Sequence, residues 1–411
     1  MCPLLLLLFS LSITSLLLPT CQGNTLLDRR RRRSFEQRTR TLNERRRKLI
    51  VYGTDGRQDE EDVSNSGWKN YGKSDVMLVF NSQLSYSWWW GGYYVAYGTQ
   101  SQSYGTNVGC VNPFPFYNQK RYGFCSGTLI GDRYISTAGH CVCQMNVQYA
   151  SQCDVSEISV IFGATKSDAS DHFFDEDQVF ALDSVVAAAY TYKSGMSKDF
   201  AIVRLKEAVP TNIATPIPVR LTTRAILGER ALLIGHPYGL PRKYDEAFVN
   251  YVHENECAFY VWNGPFDSFG GNSGSGVIST DTGELIGVLI EGGTDFFDTT
   301  VNGETCKDVN YCQASAATSG LTTSVQYTDS NTGSNAGYVY GEKIAGSIDL
   351  YAACGGPYAP GIVANSVEMT EVCNQLRSNA LDSSSADSYA CWNCVNTDDG
   401  AVDSNGNGTS T

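Results

Sequence analysis

Seven short runs of Val, Ile and Leu, each closed off by Gly, Asp or Pro, constrain this chain more than any other feature. They lie at Val76 to Phe80, Thr128 to Ser136, Ser159 to Phe162, Phe200 to Leu205, Ala231 to Ile234, Gly276 to Thr280 and Leu285 to Ile290. Runs of this length between turn residues make buried β-strands, because a helix of similar burial needs about ten or more residues. One segment reads as a helix, Ser366 to Ala380. A serine opens it, Glu368 sits in its first turn, and Val367, Met369, Val372 and Leu376 supply its apolar positions. Many strands and one late helix predict an all-β chain built as an antiparallel barrel or sandwich. With 40 glycines, 24 tyrosines and only 18% charged residues, the composition excludes a coiled coil or helical repeat.

The two ends differ from this body. Leu4 to Leu18 is an apolar run without charge, too short to span a bilayer of about 30 Å, and residues 1–23 are expected to form a secretory signal. Residues 24–48 are expected as a basic propeptide, since 11 basic and 3 acidic residues fall between Asp28 and Lys48. Cleavage is expected after Arg45-Arg46-Arg47-Lys48. From Leu49 onward, 40 acidic residues face 19 basic ones. An acidic body repels phosphate backbones, so nucleic acid is not an expected partner, and no stable membrane insertion is expected either. The folded domain is assigned to 49–380. A flexible Ser-, Asp- and Gly-rich tail follows over 381–411, with a glycosylation sequon at Asn407-Gly408-Thr409.

Apart from Cys2 and Cys21, twelve cysteines remain. An even set in an exported chain implies disulfides and a secreted location. Cys391 and Cys394 are expected to form a structural bridge, since zinc needs four ligands and no second close pair lies nearby. The acidic run from Asp168 to Asp177 is expected to be a charged surface loop rather than a calcium site. No metal and no cofactor are expected. Two stretches read as insertions into the strand core. Residues 82–124 hold Trp88-Trp89-Trp90, Tyr93-Tyr94 and Phe114, and these rings are expected to pack the insertion against the barrel. Residues 294–353 read as a disulfide-pinned loop region.

Three segments carry legible chemistry, in a fixed order. Cys125-Ser-Gly-Thr-Leu-Ile-Gly-Asp-Arg-Tyr-Ile-Ser-Thr-Ala-Gly-His140-Cys141 comes first, and Lys198-Asp199-Phe200-Ala201-Ile202-Val203 second. Asp267-Ser268-Phe269-Gly270-Gly271-Asn272-Ser273-Gly274-Ser275-Gly276 is third. A neutral serine hydroxyl is a poor nucleophile and needs a base to take its proton. Histidine suits that task near neutrality, and a carboxylate can fix its tautomer. Taken together, the three segments resemble the trypsin/chymotrypsin-like serine endopeptidases, from Leu49 to about Ala380 with two interruptions. The resemblance implies two packed antiparallel six-stranded β-barrels with one C-terminal helix. It implies His140 as base, Asp199 as orienting acid, Ser273 as nucleophile, and the Gly271 and Ser273 amides as oxyanion donors. It also implies a disulfide between Cys125 and Cys141. The order His, Asp, Ser differs from that of the α/β-hydrolases and of the subtilisins.

Asn272 and the segment Ile234-Gly-His-Pro-Tyr-Gly-Leu-Pro241 resemble the glutamyl endopeptidase branch. Trypsins carry Asp at the position of Asn272, and a neutral amide offers no charge to a newly formed α-amino group. The charge that trypsin-type zymogen activation relies on is therefore missing at this position. Asp267 falls by resemblance at the base of the primary pocket, with Ser268, Gly292 and Gly361 as further substrate-binding residues. A buried carboxylate there implies cleavage of protein or peptide substrates after Arg or Lys. No histidine lies on Gly287-Val288-Leu289-Ile290, where Glu-selective relatives have one. The alternatives are a serine endopeptidase of Glu or other specificity, or a secreted protease-fold binding protein that uses its aromatic insertion to hold a ligand. The sequence leaves the oligomeric state open.

Overall fold

The computed structural model describes residues 56–97, 116, 119–144, 152–193, 196–221, 225–249, 251–252, 258–261, 266–291, 296–301, 304–309, 342–346, 363–364 and 366–381. The expected signal, the basic propeptide, the tail beyond 381, Cys391, Cys394, Gly292 and Gly361 lie outside the described residues.

The first strands along the chain are β1 Gln58–Asp59, β2 Asp75–Phe80, β3 Leu84–Ser87, β4 Gly92–Val95, β5 Cys125–Leu129 and β6 Tyr134–Thr137. After them come β7 Ile158–Phe162, β8 Phe173–Asp175, β9 Val179–Lys193 and β10 Met196–Leu205. The second half holds β11 Arg230–Gly235, β12 Lys243–Phe248, β13 Tyr251–Val252, β14 Ala258–Val261 and β15 Gly276–Ser279. It continues with β16 Leu285–Glu291, β17 Phe296–Val301, β18 Glu304–Val309, β19 Glu342–Gly346 and β20 Val363–Ala364. Two α-helices are described, α1 Ser66–Gly72 and α2 Ser366–Asn379.

Six strands close into a barrel. The order runs β10-β6-β5-β2-β7-β9, and β9 pairs back onto β10, with β20 added at Ala187 and Ala188 of β9. The long β9–β10 hairpin bends because its register shifts twice, between Ile202 and Val203 and between Arg204 and Leu205. Each such shift adds twist, which lets a hairpin curl around the closed ring. The second sheet is antiparallel, with eight strands in the order β1-β12-β11-β15-β16-β19-β14-β13. Its two end strands are not paired with each other among the described residues. One hydrophobic cluster runs through both sheets, joining Val76, Leu78, Ile135 and Phe200 to Leu232, Ile234, Ile278 and Val288. The barrel and the sheet therefore share a core, and the loops between them are held from both sides.

The segment Thr128 to Ser136 is two strands rather than one. The Ile130 and Gly131 amides both donate to the Tyr134 carbonyl, at 2.8 and 3.3 Å, and turn the chain back on itself. Helix α1 adds to the single expected helix. It spans only seven residues, too few for an apolar period to show, and it begins where the Asn65 side chain accepts from the Gly67 and Trp68 amides. The region 294–353 contains β17 and β18 as a hairpin and β19 as a member of the second sheet, rather than loop alone.

The aromatic insertion corrects a second expectation. β3 and β4 form a hairpin that pairs with β8 in a separate three-stranded sheet. Val95 and Phe174 fill the core beneath it. Trp88, Trp89 and Trp90 do not pack against the barrel but remain 88%, 95% and 72% exposed. They occupy the turn beyond the last strand pair, Ser87 with Gly92.

Candidate active site

The first motif segment runs out of β6, the second lies on β10 and the third leads into β15. The β5–β6 hairpin runs into a tight 3-10 turn, Gly139–Cys141, which carries His140. A Cys125–Cys141 disulfide, with Cα atoms 6.3 Å apart, ties this turn to the start of β5. A second disulfide, Cys143–Cys153, closes the loop that follows. Asp199 lies on β10 opposite Tyr190 of β9, and its side chain is buried.

The Asp199 carboxylate holds His140 at two points. Oδ1 accepts the His140 backbone amide at 2.9 Å, and Oδ2 lies 2.7 Å from Nδ1. A carboxylate oxygen accepts, so Nδ1 carries the ring proton. Nε2 is left as the nitrogen with a free lone pair. The His140 side chain is about a quarter exposed, which leaves that nitrogen within reach of a ligand.

The loop before β15 is shaped by two glycines with positive φ, Gly271 at 98° and Gly274 at 91°. A Cβ on Gly271 would come within 2.9 Å of the Tyr238 amide, the His236 carbonyl and the Gly239 amide. A Cβ on Gly274 would lie 2.0 Å from the Ser126 carbonyl. Both the backbone angle and the space therefore require glycine. In this loop the Asn272, Gly274 and Ser275 amides donate to Phe269, Leu289 and Asn272 carbonyls at 2.9, 2.7 and 2.8 Å. The Gly271 and Ser273 amides donate to no acceptor among the described residues. Two N–H groups flanking Asn272 are thus left for an acceptor from outside, as an oxyanion hole requires.

Ser126, which the sequence did not single out, fixes this loop to the barrel. Its Oγ donates to the Gly271 carbonyl at 2.8 Å and accepts the His236 amide at 2.9 Å. Its own amide donates to the Ser273 carbonyl at 2.8 Å. The only sequence signal for it is its place next to Cys125. The Cys141 sulfur lies 3.6 Å from the same Ser273 carbonyl, which sets the third segment against the turn carrying His140. Cys125, Cys141 and His140 group closely enough to hold a metal ion. The two sulfurs are bonded to each other, however, and offer no thiolate.

Asp267 is buried, and its Oδ2 accepts the Gly56 amide at 2.5 Å. Its amide donates to Asp245 Oδ2 at 2.5 Å, which sets a second buried acid beside it. Ser268 is also buried. Phe269 packs under the Arg57 guanidinium, 4.3 Å from its ring centre. Asn272 is buried, and its Oδ1 accepts from Ser275 Oγ at 3.2 Å.

Residues 125–288 match the family model described as a trypsin-like peptidase domain. Among solved structures, the chain is similar to a Glu endopeptidase in complex with MPD at 20% identity, over 65% of this chain and 94% of that one, with a TM-score of 0.35. It is similar to the human heparin binding protein at 14% identity, over 62% and 90%, with a TM-score of 0.35. A thermostable serine protease, AL20, from an extremophilic microorganism shares 14% identity over 59% and 92%, with a TM-score of 0.35. No curated protein matches the chain.

Proposed function

From the premise that this chain is a trypsin-like serine endopeptidase, we propose that Ser273 is its nucleophile, His140 its general base and Asp199 the acid that orients His140. The observation that carries this reading is the double hold of Asp199 on His140, at the backbone amide and at Nδ1. That hold presents Nε2 as a base. In the proposed reaction, Nε2 takes the Ser273 hydroxyl proton as Oγ bonds to the scissile carbonyl carbon, whose oxygen becomes an oxyanion received by the Gly271 and Ser273 amides. Collapse expels the amine, which takes the proton from Nε2, and leaves an acyl-enzyme. Water then repeats the sequence, with His140 as base, and releases the acid.

For substrate choice we propose cleavage after Arg or Lys, supported by the buried Asp267 six positions before Ser273. One observation favours a second reading. Asp267 already accepts from Gly56, so its charge is partly used by the protein's own chain, and the pocket would then select another side chain. Export is proposed from the apolar leader, and the Cys125–Cys141 and Cys143–Cys153 disulfides fit an oxidising compartment. The oriented imidazole, and two amides with no acceptor among the described residues, support the enzyme reading over the ligand-binding alternative, since a binder needs neither.

A fluorophosphonate probe on protein processed after Lys48 tests the nucleophile. Labelling is expected, and it is expected to vanish in Ser273→Ala. No labelling of folded, processed protein removes the enzyme reading. Peptide substrates ending in Arg, Lys, Glu and Phe test the pocket. Arg and Lys are expected to be preferred, and Asp267→Ser is expected to remove that preference. If Arg cleavage survives in Asp267→Ser, the second reading holds.

A further inference from the structure

We propose that the turn Trp88–Gly91 is a lipid-contact tip that seats the protein on membranes rich in choline headgroups. Trp88, Trp89 and Trp90 are 88%, 95% and 72% exposed, an unusual state for side chains that are large and mostly apolar. They are held out on a built element. Gly91, at φ 63°, closes the turn, and the Trp90 and Gly91 amides donate to the Ser87 carbonyl at 3.3 and 2.9 Å. Tyr86 braces the base, with its ring edge-on to Trp88 and to Tyr93, both at 5.0 Å, and its hydroxyl donating to Glu176 at 2.9 Å.

Chemistry selects the occupant. Tryptophan favours the boundary of a bilayer, where its ring is buried and its indole N–H stays wet. No residue from Asn81 to Tyr97 is charged, so the tip itself carries nothing that must be stripped of water on entry. Just behind it Asp175, Glu176 and Asp177 are exposed, with Asp175 paired to Gly92 and the Glu176 amide donating to the Gly91 carbonyl. That acidic collar repels anionic lipid and attracts the quaternary ammonium of choline, which indole faces also bind through cation–π contact. Among the described residues no helix is long and apolar enough to cross a membrane, so the contact is peripheral. The proposal holds whether or not Ser273 is a nucleophile.

The test uses the full chain with sedimenting vesicles of pure phosphatidylcholine. Binding is expected, together with a blue shift of tryptophan emission and its quenching by bromine-labelled phosphatidylcholine. Trp88→Ser/Trp89→Ser/Trp90→Ser is expected to weaken partition by at least about tenfold, with hydrolysis of a small soluble substrate unchanged. Quenching is read on the unaltered protein, so it stands even if that variant folds poorly. Absence of binding and quenching overturns the proposal. So does tighter binding to phosphatidylglycerol vesicles, or retention on insoluble polysaccharide without vesicle binding.

Discussion

Ser126 shows how much one hydroxyl can decide. It donates to the Gly271 carbonyl and accepts from the His236 amide, so it fixes the Gly271–Asn272 peptide plane next to the Gly271 amide without touching a substrate. It is a positioning residue. Ser126→Ala removes both hydrogen bonds of the hydroxyl and is expected to lower kcat by about tenfold or more, about 1.4 kcal/mol upward, while KM changes little. Steady-state kinetics check this, and Ser126→Thr should recover part of kcat by restoring the hydroxyl. Loss of KM alone would assign Ser126 to substrate binding. Its two partners lie 145 and 110 residues away along the chain. Nothing local in the sequence distinguishes it from the other serines, whereas His140 and Ser273 stand inside recognisable wording.

At the scale of elements, the β5–β6 hairpin carries the proposed base and the β9–β10 hairpin carries the proposed acid. The Cys125–Cys141 disulfide spans 16 residues and fastens the His140 turn to β5. Cys125→Ala/Cys141→Ala is expected to cost about 3 kcal/mol by the loop-entropy argument. The check is a lower midpoint in urea unfolding, with a slope that rises or holds as the unfolded chain loses its cross-link. The apolar runs marked six of the strands closely, because buried strands leave an unmistakable Val, Ile and Leu signature. They did not mark β3 and β4, whose Ser, Tyr and Gly sequence is only half buried. Nor did they separate β5 from β6, since the turn between them is short and flanked by apolar residues on both sides.

For the molecule as a whole, buried ion pairs join parts that are far apart in sequence. Arg242 reaches Asp75 of β2 and Glu60 after β1, at 3.1 and 2.5 Å. Lys243 lies 2.6 Å from Asp59 and also donates to Gln119 and to the Pro241 carbonyl. Burial alone would raise the Asp59 carboxyl, but Lys243 beside it holds the group below its usual 3.8. Burial in turn pulls the Lys243 ammonium down to about 8. For Asp59 the unfolded chain binds the proton more readily than the folded one. Its contribution to stability is therefore complete above about pH 4 and is lost as the pH falls through the folded value. Asp59→Asn is expected to cost about 3–5 kcal/mol at neutral pH, by leaving Lys243 buried without its partner, and to flatten the acid limb of a stability profile. Urea melts between pH 3 and 7 check both; an unchanged acid limb would remove Asp59 from the account.

The sequence by itself determined the strand-rich class and the three chemical segments, because both are written in local patterns: apolar runs between turns, and reactive residues within fixed neighbours. Only the tertiary structure decided that Asp199 grips the His140 backbone as well as its ring, that Ser126 fastens the loop before β15, that Asp267 is shared with Gly56, and that three tryptophans stand in the open. Each of these depends on which distant groups meet and which meet nothing, and a chain read in one dimension carries no record of that.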